Sequence, residues 1–145
     1  MITVLQRVSE ASVSVSDKVV AAIDSGILAL VAVEKQDTEK NADRMLQKIL
    51  NYRIFQDNAG KMNLSLLDIR GELLLVPQFT LAADTKSGNR PSFTGSAPPE
   101  QGRQLFTYLQ TIATDKVPEC QFGVFGADMQ VELINDGPVT FILSV

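Results

Sequence analysis

The 145-residue chain has no histidine and a single cysteine. Without histidine there is no Ser-His-Asp or Cys-His catalysis, no imidazole acid–base work and no usual zinc site. Cys120 cannot close an internal disulfide, and alone it cannot build a structural zinc centre. No metal and no cofactor is therefore expected. Any catalysis must draw on hydroxyls, carboxylates, lysines, backbone dipoles or the substrate itself. Long hydrophobic runs are also missing: Ile27 to Val33 is among the longest and falls far short of the about 20 residues a membrane helix needs. The N-terminus reads as a strand from residue 2 and shows no signal peptide. Basic residues are outnumbered, with a formal charge of −4, which argues against broad, non-specific gripping of a nucleic-acid backbone. These absences together predict a soluble, reduced, cytoplasmic protein with no membrane contact.

What is present is ordinary for a globular chain: 45% hydrophobic and 21% charged residues. The length suits one domain over residues 1–145. Ile2 to Val8 reads as a strand, and Ala11, Val13 and Val15 alternate with serines as in a half-buried strand. A strand over Val19 to Ile23 and the central run ILALVAV follow. The period then changes: Ala42, Met45, Leu46, Ile49 and Leu50 recur at helical spacing, with Asp37 or Thr38 as N-cap. Tyr52 to Phe55 and Met62 to Leu67 flank the turn-rich DNAGK and predict a hairpin. ELLLVPQFTLAA predicts one long strand interrupted by Pro77. Pro98 and Pro99 suit the first turn of a second helix whose buried stripe is Leu105, Leu109 and Ile112. CQFGVF, DMQVELI and VTFILSV predict three closing strands. The expected fold is α+β, a mainly antiparallel barrel-like or two-sheet domain with two inserted helices.

Three stretches can carry chemistry. In VPQFTLAAD, Gln78 and Thr80 alternate with Phe79 and Leu81, so a strand there sets an amide beside a hydroxyl. Pro77 breaks the ladder, marks an edge or bulge, and leaves the N–H groups of Gln78, Phe79 and Thr80 available to an oxyanion. The plainer alternative is a polar strand face meeting solvent. In NDGPVTF, Asn135-Asp136-Gly137 between two apolar runs signals a hairpin turn. Yet Gly137-Pro138 could also be cis and aim two carbonyls at an amino group, with no Cβ on residue 137 to hinder approach. KSGNRPSF places Lys86 and Arg90 on a loop that either meets phosphate or is simply solvated.

Taken together these segments resemble the D-aminoacyl-tRNA deacylases. The likeness runs end to end, through QRVSEASV, LVAVEK, YRIF, GKMNLSL, QFTLAADTKSGNRPSF, FGADMQV and NDGPVTF. The resemblance implies a homodimeric hydrolase that cleaves the ester joining a D-amino acid to the 3′-terminal adenosine of tRNA, with achiral glycine also accepted. It implies that Gly137 and Pro138, joined by a cis bond, reach into the partner subunit's pocket and hold the substrate's α-amino group, excluding an L side chain. Gln78, Phe79 and Thr80 fall on the family's catalytic stretch. Thr80 is either the nucleophile or a backbone donor beside Phe79; the histidine-free composition favours the donor role, with the ribose 2′-hydroxyl helping to activate water. Arg7 then braces the pocket, Phe125 and Met129 line it, and Lys86 and Arg90 are candidates to touch tRNA. Pro77 stands where the family usually has serine, so no role of that serine carries over. The alternative activity is a non-catalytic module binding an amino acid or nucleotide.

Overall fold

A computed structural model describes residues 1–86 and 88–145. Strand β1 (Ile2–Val15) is the spine of a six-stranded sheet ordered β2 (Lys18–Ile23), β1, β3 (Gly26–Ala32), β6 (Glu72–Pro77), β7 (Gln121–Phe122), while β8 (Gln130–Ser144) lies along β1. β1 pairs antiparallel with β2, β3 and β8, whereas β3–β6 and β6–β7 are parallel. The sheet is thus mixed and curls into a nearly closed barrel. A second, two-stranded sheet joins β4 (Phe55–Gln56) and β5 (Met62–Leu64).

The alternation of side chains sorts the strands into two cores. Leu5, Ile27, Ala29, Val31, Leu73 and Leu75 face α1 (Glu39–Asn51) and α3 (Pro99–Lys116). Their neighbours Leu28, Leu74 and Val76 point the other way and meet Val8, Val13 and Ile23 inside the barrel. β3 and β6 are covered on both faces, which is why they read as unbroken apolar runs. The five apolar α1 positions expected on its inner face are all buried, and Thr38 caps the helix with its N–H donating to Asn41 Oδ1 at 3.0 Å. Pro99 opens α3 at its first turn, and Leu105 and Leu109 are buried while Ile112 is half-buried.

Several expectations are corrected. β1 is one strand rather than two; the face it buries changes phase between Val8 and Ala11, where its register with β8 also shifts. A third helix, the four-residue α2 (Leu66–Ile69), follows β5 and is capped by Ser65, whose hydroxyl accepts from the Asp68 N–H at 3.2 Å. Pro77 stands at a local edge rather than a bulge: it ends β6 opposite Val31 of β3, while β7 pairs only with Leu74 and Leu75. The chain beyond it is not strand but a 3-10 turn, Phe79–Ala82.

The largest correction concerns the tail. NDGPVTF is not a hairpin turn between two strands. The apolar runs on either side of it pair with the same strand, β1, so they form one continuous β8. Gln6 pairs with Thr140 and Val8 with Asn135, so Arg7 alone faces Asp136, Gly137, Pro138 and Val139, which arch out as a bulge. The Gly137–Pro138 bond is cis.

Candidate active site

One part of the site forms where β6 leaves the sheet. The Gln78 N–H donates to Val31 O at 2.8 Å, the last bond of that ladder. It is therefore occupied, contrary to the expectation that all three N–H groups here would be available. The 3-10 turn then closes with Leu81 N–H on Gln78 O and Ala83 N–H on Thr80 O. The first N–H groups of such a turn have no intrahelical partner. Among the described residues, those of Phe79 and Thr80 accordingly have no acceptor. The amide and hydroxyl do stand side by side, through the turn rather than a strand face: Gln78 Nε2 donates to Thr80 Oγ1 at 2.5 Å.

Gln78 and Phe79, though not Thr80, border a cavity of about 260 Å³, walled also by Val31, Val33, Pro77, Phe106 and Phe125 among others. Not one lining residue is ionisable, and among the described residues the Thr80 hydroxyl is hydrogen-bonded to the Gln78 amide and to no basic group. The Phe79 ring is 58% exposed and packs on Phe93 with ring centres 5.2 Å apart. That contact, with paired hydrogen bonds between Asp84 and Ser92, ties the loop bearing Lys86 and Arg90 to the cavity mouth. Both cations are exposed.

Gly137 and Pro138 sit elsewhere. Arg7 faces their bulge, while Thr3 is in register with Val31 and, through it, with Pro77. The two places lie about 13 Å apart along β1 and on its opposite flanks. Gly137 and Pro138 are exposed. A dense set of bonds holds the arch from beneath. Arg7 Nε donates to Asp136 O at 2.9 Å, and its Nη1 donates to Ile54 O at 2.7 Å. The Asn135 side-chain amide donates to Arg7 O and Val139 O at 2.9 and 3.0 Å, clamping the neck. A Cβ on residue 137 would press into Asn135 Oδ1 and the Val139 nitrogen, so only glycine fits. Arg7 is buried and braces this arch rather than the cavity.

Of the two expected lining residues, Phe125 borders the cavity and Met129 does not. Met129 packs toward the barrel interior, its sulfur accepting the Val124 N–H at 3.3 Å. Two residues missed by the sequence reading belong to the picture. Asn135 has the signature of a turn former, and only its pairing with β1 reveals the clamp. Arg103 lies over the Phe125 ring, 4.9 Å from its centre. Among the described residues no three His, Cys, Asp or Glu side chains converge as metal ligands would, and no helix is long and apolar enough to cross a membrane.

A family model described as D-Tyr-tRNA(Tyr) deacylase matches residues 4–144. The D-aminoacyl-tRNA deacylase of Francisella tularensis subsp. tularensis is 56% identical over 145 residues, covering all of both chains. That of Pseudomonas entomophila is 59% identical over 141 residues, 97% of each chain. Among solved structures, a c-Myc DNA Unwinding Element Binding Protein superposes with a TM-score of 0.95 at 38% identity, over 100% of this chain and 99% of that one.

Proposed function

The chain belongs to the D-Tyr-tRNA(Tyr) deacylase family, hydrolases of aminoacyl-tRNA esters, and we propose that it strips D-amino acids from tRNA in the cytoplasm, as a homodimer whose sites are shared between subunits. One observation carries this reading: the unpaired N–H groups of Phe79, which borders the cavity, and of the adjoining Thr80 lie on one flank of β1, while the exposed Gly137–Pro138 arch lies on the other. One chain cannot bring the two together; a second copy can supply the arch to the first copy's cavity. β8 has the means to recruit that copy, since among the described residues it pairs with β1 alone, and it exposes Ile134 and Ile142, the latter 73% accessible.

In this reading the terminal adenosine enters the apolar cavity and the ester carbonyl oxygen faces the N–H groups of Phe79 and Thr80. Water attacks the carbonyl carbon, and the two N–H groups stabilise the oxyanion that forms. The bond to the ribose oxygen then breaks, and the departing oxygen takes up the proton that the water lost, with the ribose 2′-hydroxyl relaying it. Thr80 acts through its backbone, because its hydroxyl has no base to activate it. Its oxygen accepts from Gln78, which fixes the side chain in place.

The carbonyls of the partner's Gly137 and Pro138 accept the substrate's α-ammonium. With the amino group and the ester both fixed, the side chain of one enantiomer points outward and that of the other collides with the arch. Glycine has no side chain to collide, so glycine carried on tRNA(Ala) is cleaved as well. Lys86 and Arg90 reach tRNA phosphates from the tethered loop, a local contact compatible with the overall charge of −4. That same acidic charge weighs against a DNA-binding role of the kind named for the 38% identical structural relative.

The test is release of free amino acid from matched D- and L-aminoacyl-tRNA and from glycyl-tRNA. D and glycyl esters are expected to be cleaved and L esters spared. Binding without release would instead mark a non-catalytic amino-acid or nucleotide module.

A further inference from the structure

We propose that Arg103 binds the phosphate on the 5′ side of the substrate's terminal nucleoside, which makes it a residue that helps to distinguish an aminoacyl-tRNA end from an aminoacyl-nucleoside. The inference rests on the functional reading above and extends it to a residue outside both described motifs.

The cavity wall contains no ionisable side chain. It suits the uncharged part of a nucleotide and offers nothing to the phosphodiester that follows. Charge must therefore be met at the rim. Arg103, exposed on α3, lies with its guanidinium 4.9 Å over the centre of Phe125, one of the cavity's lining rings. That ring is itself fixed. Phe106 packs on it at 6.3 Å, and Gly102, one residue before Arg103, lets it approach the helix so closely that an added Cβ would lie 3.2 Å from the ring. A guanidinium stacked on an aromatic face keeps its N–H fork in the ring plane's direction and available to a bidentate anion. Among the described residues, no carboxylate lies within ion-pairing distance of Arg103. The first turn of α3 meets the same cavity through Pro99 and Gly102. Glu100 already sets a carboxylate in that first turn, so the positive charge available to an anion at this rim is that of Arg103.

The experiment compares two substrates: a D-aminoacyl-tRNA, and the same D-amino acid esterified to free adenosine, which has no phosphate. Wild type is expected to cleave both. Arg103→Gln keeps the aliphatic stem and helix propensity. It is expected to raise KM for the tRNA substrate about five- to tenfold with kcat unchanged, and to flatten the salt dependence by about 0.7 in log–log slope. Hydrolysis of the adenosine ester should not change, and Arg103→Lys should recover part of the loss. An equal loss on both substrates would overturn the inference, since Arg103 would then merely hold Phe125 in place. No loss on either would also overturn it. A wild-type protein that cleaved neither D ester would instead overturn the functional reading, and the inference with it.

Discussion

Arg7 and Asp136 are joined twice at the base of the β8 arch: Nε of Arg7 lies 2.9 Å from the Asp136 carbonyl oxygen and 3.0 Å from its Oδ2. The guanidinium is buried and its Nη1 is spent on Ile54 O, so it cannot swing away. Gly137 and Pro138 are thereby mounted on a fixed support, although both are open to solvent.

Arg7→Gln should show what the support is for. It leaves Ile54 O without its buried donor and loosens Asp136, at a cost of about 2 to 4 kcal/mol in stability. The folded fraction should retain D-ester hydrolysis while its preference over the L ester falls. Chemical denaturation together with paired D and L assays reads both effects.

Gly137→Ala is expected to separate function from folding. The added methyl collides with Asn135 Oδ1 and the Val139 nitrogen, both parts of the clamp. The arch must shift, and D-ester turnover should fall by at least about a hundredfold, the loss typical when reacting groups are displaced by about 1 Å. Val139, whose nitrogen the methyl meets, is itself buried in the helix-side core, so some fall in melting temperature should accompany the shift, and turnover per folded molecule separates the two effects.

Thr80→Ala removes the hydroxyl and leaves the Thr80 N–H in place. Activity within about tenfold of wild type is expected, because a lost oxyanion donor costs about 10² to 10³ and no such donor is lost. Abolished turnover with fold and substrate binding intact would restore the hydroxyl as nucleophile.

Cys120 is 6% exposed, and burial pushes its thiol up to about 12. In the unfolded chain a thiol titrates near 8.5. The folded state therefore holds its proton longer, so this group's contribution to stability is complete below about pH 8.5 and fades as pH climbs toward 12. At pH 8 a thiol reagent should label the native protein slowly and the denatured protein at once. Rapid native labelling would contradict the burial.

Local signals were legible where local structure decides. The five-residue apolar stripe of α1 and the prolines opening α3 appear in the structure where the sequence placed them. The Ser65–Asp68 capping pair of α2 was equally local and could have been read from its spacing. NDGPVTF misled because its turn chemistry is authentic: Asp136 to Val139 do arch. Whether an arch becomes a hairpin or a bulge depends on which strand lies opposite, and here β1, more than a hundred residues earlier, pairs with both sides. QFTLAA alternates like a strand, but beyond Gln78 there is no ladder left to join, and the chain coils instead. Arg7, Asn135 and Arg103 acquire their roles from partners distant in sequence, so no window along the chain could show them. The Phe79 and Thr80 donors were anticipated for a related reason, since Pro77 does mark the point where the ladder ends.

The most direct test of a site shared between subunits is complementation. One variant carries Gly137→Ala and so lacks a working arch; the other carries Ala97→Phe, which fills the cavity that Ala97 helps to line. Each alone should be nearly inactive on D-aminoacyl-tRNA. Co-expressed with random pairing, half of the dimers are mixed and each holds one intact site of two, so about one quarter of wild-type activity should return. If activity stays at the level of the separate variants although mixed dimers form, the arch and the cavity do not meet across subunits, and the account is contradicted.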